Sequence, residues 1–490
     1  MLKKLKKIPV VLGMCLLVLL TNCHSNEDDK VPITTQSKEA LQYYKKGQYH
    51  FDKLRRGEAA EYFRKAIELD PDFAMAHLHL ALIAPNTQSF TEHMTDAVAL
   101  VDKVSQAEKY KILGMQAFFN RQPEKEGEYY QKLVQDYPND ERAQLLLGNH
   151  FFFQNDYNRA LGYYRRAIQL NPQFSLAYNQ LGYCHRFLEN YDEAEEAFKE
   201  YINLVPEDPN PYDSYGDLLI KMGRFEESIS MYQKALKQDP DFSYSHVGIS
   251  TNLNLLEKHQ KARKNLREAL TKNLEQYQQR SLQYAILTSF LDEESNDSSL
   301  LKMREIINLD DTWEDTLHLA EDYFRLADIL THLKQYEESL ANTEKAYQLI
   351  KNSYVSAELK HTTYISYLFR LTRTMIKQRK FDKASEYLTE LESEIPKLND
   401  RNRTQGYYGL LGQLALEKEQ YDKALGEFQR SSRQNPFIFM YMGEAYEKKG
   451  DIAKAIKFYK EAANFNSVGN MYFAMLRKDA LRKLENLQPS

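Results

Sequence analysis

Four prolines recur at a constant interval: Pro138, Pro172, Pro206 and Pro240 are each 34 residues apart. Each closes a version of one phrase, "RALGYYRRAIQLNP" at 159–172, "EAEEAFKEYINLVP" at 193–206 and "ESISMYQKALKQDP" at 227–240, with a looser "KEGEYYQKLVQDYP" at 125–138. "EAAEYFRKAIELDP" at 58–71 ends on Pro71, close to two such steps before Pro138. A fixed period of this size is the mark of a solenoid, in which each unit buries its apolar face only against its neighbours. That arrangement removes the size limit on a single core, which a 490-residue chain would otherwise exceed. The apolar spacing within each phrase is helical, and the proline cannot continue the hydrogen-bond ladder, so it ends one helix and starts a turn. The expected fold is all-α, a superhelix of antiparallel helix pairs.

With Pro172 set as position 32 of a unit starting at Glu141, Leu147 and Gly148 fall at positions 7 and 8, Phe151 at 11, Ala160 at 20, Tyr164 at 24 and Ala167 at 27. The next units repeat Gly182, Ala194 and Phe198, then Gly216, Ser228, Tyr232 and Ala235, in phase. Small residues at 8 and 20 let two helices cross closely, and the ring at 24 fills the gap between them. These residues resemble the tetratricopeptide repeat, in units near 40–73, 74–106 and 107–140, then from 141, 175, 209 and, more weakly, 243. The pattern fades over 277–318, which contains "DEESNDSS", and returns in "YEESLANTEKAYQL" (336–349), "FDKASEYLTELESEIP" (381–396), "GYYGLLGQLALEKEQYDKALGEFQ" (406–429) and "MGEAYEKKGDIAKAIKFYKEAA" (442–463). The expected organisation is an N-terminal array at 38–276, an irregular helical connection at 277–318 and a C-terminal array at 319–469. An amphipathic capping helix and tail follow at 470–490.

The first residues serve another purpose. "MLKKLKK" is a basic start and "IPVVLGMCLLVLL" (8–20) an apolar stretch too short to span a bilayer comfortably, which reads as a secretory signal. "LTNC" then ends at Cys23. This resembles the lipobox of bacterial lipoproteins, with Leu20 and Thr21 on pattern and Asn22 where Gly, Ala or Ser is usual. The resemblance implies a signal peptide at 1–22, lipidation of Cys23, and residence in the cell envelope at the outer membrane, on its periplasmic or its surface side. Residues 23–37 read as a polar, flexible tether.

Little here suggests chemistry. The formal charge of −5, with both signs mixed along the chain, argues against nucleic acid as a partner. The sequence carries no HExxH, G-x-S-x-G, Walker loop or paired CxxC. His77 and His79 stand two apart, on different faces of a helix, so they do not form a metal pair. Beyond Cys23 only Cys184 remains downstream, at a small-residue position, and it reads as a packing thiol; Trp313 likewise reads as packing. No cofactor and no metal are expected.

The family resemblance implies a concave face lined by the first helix of each pair, at positions 2, 5, 9, 12 and 13. Those positions hold Phe118, Phe119, Asn149, Phe152, Phe153, Tyr183, Arg186, Phe187, Asp217 and Lys221. Aromatic residues with polar groups between them suit an extended peptide or an amphipathic helix. The carboxylate clamp of chaperone-binding family members is not matched, because Leu145 stands where it needs Lys. The expected function is a non-catalytic, lipid-anchored scaffold of the bacterial envelope, with protein or peptide partners and a membrane contact through its lipid. The alternatives are a glycan-binding outer-membrane lipoprotein, or an enzyme with its site in 277–318.

Overall fold

The structure, a computed structural model, describes residues 30–313 and 315–487; the signal segment, Cys23 and the start of the tether lie outside the described residues. Among the described residues there are twenty-five α-helices and no strand. The first pairs are α1 (Lys38–Asp52) with α2 (Arg56–Leu69), α3 (Ala74–Leu82) with α4 (Thr87–Ala99), and α5 (Gln106–Phe119) with α6 (Pro123–Asp136). Next come α7 (Glu141–Phe153) with α8 (Tyr157–Leu170), α9 (Ser175–Phe187) with α10 (Tyr191–Leu204), and α11 (Pro209–Lys221) with α12 (Phe225–Gln238). The middle holds α13 (Ser243–Leu255) with α14 (His259–Leu270), α15 (Gln276–Asp292) with α16 (Asn296–Thr312), and α17 (Thr316–His332) with α18 (Tyr336–Lys351). The last pairs are α19 (Ala357–Lys377) with α20 (Phe381–Glu394), α21 (Arg401–Glu417) with α22 (Tyr421–Arg430), and α23 (Pro436–Lys448) with α24 (Ile452–Ala463); α25 (Met471–Leu487) closes the chain.

The recurring phrase is the second helix of each pair, and its proline stands two residues past the helix end at Asp136, Leu170, Leu204 and Gln238. The two helices of a pair cross where glycine meets a ring. A Cβ on Gly148 would lie 2.5 Å from Tyr164, one on Gly182 2.7 Å from Phe198, and one on Gly216 2.8 Å from Tyr232. The turn inside each pair needs one left-handed residue. Arg121, Asn155, Glu189, Gly223 and Glu257 fill it in the same 34-residue phase, with φ between 56° and 75°. Only Gly223 among these takes that conformation without steric cost, which is about 1 kcal/mol for the others.

Residues 277–318 are not an irregular connection. They form the regular pair α15 and α16 and enter α17. The 34-residue phase fades because the helices lengthen: α15, α16 and α17 have 17 residues each and α19 has 21, against 13 and 14 in α7 and α8. "DEESNDSS" supplies the short turn between α15 and α16. At the opposite end of this pair, Arg280 near the start of α15 is buried against Asp310 at 2.7 Å and Asp315 at 3.1 Å, with Trp313 under its guanidinium, beside the turn from α16 to α17.

The described end of the expected tether, residues 30–37, is held in place. Val31 is buried and its N–H donates to Asp140 at 2.9 Å; that of Thr34 donates to Glu108 at 2.8 Å, and that of Gln36 to Asp70 at 2.9 Å. Lys30 pairs with Glu141. Asp140 caps α7 and Glu108 completes the capping box of α5, so the segment is strapped across the helix ends of successive pairs.

Helix α25 covers α24, the last face of the stack, and it also docks on α15. Arg477 is the pin: its guanidinium reaches Glu257 at 2.8 Å, Asp292 at 3.1 Å and the Leu255 carbonyl at 3.0 Å. Helix α25 is thereby pinned back onto the C-terminal ends of α13 and α15, near the middle of the chain.

Candidate functional site

Five of the sequence-predicted residues, Phe118, Phe119, Phe152, Phe153 and Phe187, contact one another as a ladder of rings. Phe119 packs on Phe90 at 4.6 Å and on Phe118 at 5.4 Å; Phe118 meets Phe153 at 5.4 Å; Phe153 meets Phe152 at 5.7 Å. Phe152 continues to Phe187 at 5.5 Å, and Phe187 stacks on Tyr157 at 5.0 Å. Phe153 is the most open rung, half exposed.

The polar members are engaged within the chain. Tyr164 donates to Asn149 at 2.8 Å. Asp217 accepts from Tyr232 at 2.6 Å and Tyr183 at 3.1 Å, and desolvation raises its pKa. Arg186 is buried against the face of Phe187. Lys221 donates to the carbonyl of Phe465 at 3.1 Å and sits over that ring, so the C-terminal half occupies it.

Part of this face, Phe119, Arg186, Phe187 and Lys221, lines cavities whose other wall is the C-terminal half of the chain. Asn402 donates to the Phe153 carbonyl at 2.8 Å, and Ser356 to Asn120 at 2.7 Å. Between these contacts lies a cavity of about 750 Å³ walled by α4 and α5 on one side and α17, α19 and α21 on the other. A second, of about 900 Å³, lies between α9 and the α22 to α24 region. A third, of about 540 Å³, continues from Tyr472 toward Tyr441.

Charge marks out the first of these cavities. The first cavity is lined by four arginines, Arg121, Arg325, Arg370 and Arg403, against one carboxylate, Glu321, in a chain whose net charge is negative. Arg325 is paired with Asp322 at 2.7 Å and Arg370 with Asp328 at 3.0 Å. The carboxylate nearest Arg403 is that of Asp400, 4.0 Å away. Desolvation pushes the Arg403 guanidinium down to about 10, and Arg121 and Arg370 add repulsion. An anionic group placed here would relieve that desolvation and repulsion together.

Sequence reasoning missed this half of the site. Arg121, Arg403, Phe324, Tyr354 and Tyr472 share no repeat position, and only folding of one array onto the other brings them to one cavity. Cys184 is a buried free thiol pushed up to about 12 by burial, too basic to serve as a nucleophile.

A family model for the tetratricopeptide repeat matches residues 44–101, 145–210 and 410–467, and a second one matches 210–242. These segments are tetratricopeptide repeats, and the fold is their helical solenoid. Among solved structures, "MamA 41-end from Desulfovibrio magneticus RS-1" is similar over 34% of this chain and 95% of its own, at 19% identity and a TM-score of 0.30. Another, "Crystal structure of MamA", is similar over 32% of this chain and 93% of its own, at 21% identity and a TM-score of 0.29. No curated protein matches the chain.

Proposed function

We propose that the protein is a non-catalytic scaffold that holds an extended, acidic segment of a partner protein in the chamber between its two arrays. The observation that carries this reading is the arginine-lined, aromatic-walled cavity around Arg121 and Arg403 in a chain of opposite net charge. Rings hold an extended chain through apolar contact, and guanidiniums select carboxylates by paired hydrogen bonds. Labelled acidic, neutral and basic peptides of equal length test it by fluorescence anisotropy. Acidic peptides should bind best, and the Arg121→Ala, Arg403→Ala double variant should bind them at least about tenfold more weakly. Equal binding of basic peptides, or an unchanged affinity in the variant, would contradict it.

The same proposal places the scaffold at a bacterial membrane through a lipid on Cys23. Because residue 30 is already strapped to α7, residues 23–29 can reach at most about 25 Å. The edge formed by the N-terminal ends of α5 and α7 would then face the bilayer closely. In cells, Cys23→Ser should move the protein out of the membrane fraction and abolish labelling by a fatty-acid precursor; labelling that persists would refute the anchor.

A further inference from the structure

The two histidines of "HLHLAL" part company in the fold. His79 turns into the core between α1 and α2, bonded to the Met75 carbonyl at 2.8 Å, and burial lowers its pKa to about 4. His77 turns the other way, toward α4, where it meets His93 with ring centroids 5.9 Å apart. Asp96 lies one helical turn beyond His93, its carboxylate 3.6 Å from His77 Nδ1.

The hydrogen bonding fixes which His77 nitrogen is free. His77 Nε2 lies 3.0 Å from the Pro71 carbonyl, which can only accept, so Nε2 carries a proton and in the neutral ring Nδ1 holds the lone pair. His77 Nδ1 and His93 Nδ1 are both buried with no hydrogen-bond partner. Two orphaned buried ring nitrogens, one of them facing the Asp96 carboxylate, are costly unless something satisfies them.

We propose that His77, His93 and Asp96 form a site for a divalent transition ion of the zinc type. One ligand atom from each lies within 4.8 Å of the other two. A tetrahedral zinc ion with bonds of about 2.0–2.1 Å needs ligand atoms about 3.3 Å apart, so the His77–Asp96 edge is nearly set. His93 is half-buried and Asp96 exposed, and both have room to close the rest by side-chain rotation. The Pro71 carbonyl plays the outer role that orients a ligating imidazole. Three protein ligands from two helices leave a fourth position for water and staple α3, at nine residues the shortest α-helix among the described residues, to α4. Nearby charge is mixed, with Glu92 favouring a cation and Arg64 opposing it.

The test uses the full chain without an affinity tag, stripped with a chelator and titrated with Zn²⁺ by calorimetry, with Co²⁺ absorption as a coordination signature. One equivalent should bind with a dissociation constant on the order of 1 µM or below. His93→Asn and Asp96→Asn change partly exposed side chains and should leave the fold intact. Each should weaken binding at least about tenfold and alter the Co²⁺ spectrum. No binding below millimolar Zn²⁺, or full affinity surviving in either variant, overturns the proposal; the latter would place the ion on other histidines.

Discussion

At the scale of single residues, the fold is set by a contact repeated in phase. Gly148 lets Tyr164 lie flat between α7 and α8, and Tyr164 is fully buried and tied to Asn149, so it cannot retreat from an added methyl. Gly148→Ala should therefore destabilise by about 1–3 kcal/mol through overpacking. Gly162, exposed on α8 with nothing within 4 Å of a Cβ, is the control: Gly162→Ala should stabilise by up to about 1 kcal/mol. Urea midpoints of the two variants check both signs. Equal shifts would mean the glycine at the crossing is not a packing requirement. This layer was legible in the sequence, because the glycine, the ring and the closing proline each follow from a local steric need that recurs in phase.

Helices and turns were legible wherever each pair kept its 34-residue length. From α15 to α19 the same hairpins persist with longer helices, and a fixed period loses phase there although the apolar faces are intact; the pattern is legible again from α20 to α24. The polar run at 292–299 is the end of α15, a three-residue turn and the first turn of α16 in an unbroken stack. The strap at 30–37 was misread for a related reason: its composition is polar, but its backbone N–H groups meet carboxylates that cap helices far along the chain. The turns carry a signal that composition hides, a left-handed residue at every fifteenth position of a unit, filled by Asn, Arg or Glu as readily as by Gly. The metal-site proposal belongs to this scale too, since its ligands come from two adjacent helices of the degenerate second pair.

Across the whole molecule, what matters is how one array lies on the other, and no repeat position encodes it. The rungs Phe118, Phe119, Phe152, Phe153 and Phe187 could be anticipated from positions 12 and 13, whereas the flanking rings Phe90 and Tyr157 and the covering wall, with contacts such as Lys221 to Phe465, could not. An open groove and a closed chamber differ in what they admit: the first suits a helix laid on a surface, the second a chain threaded between walls. The most direct measurement is a disulfide cross-link between Asn120→Cys and Ser356→Cys, whose native side chains touch at 2.7 Å across the two arrays. Cys184 is buried and raised to about 12, and should not compete. Under mild oxidation the 120–356 link should form rapidly and nearly completely, as read by peptide mass mapping. If both engineered thiols instead remain free and alkylate at the rate of exposed cysteines, the arrays do not close on each other and the chamber does not exist.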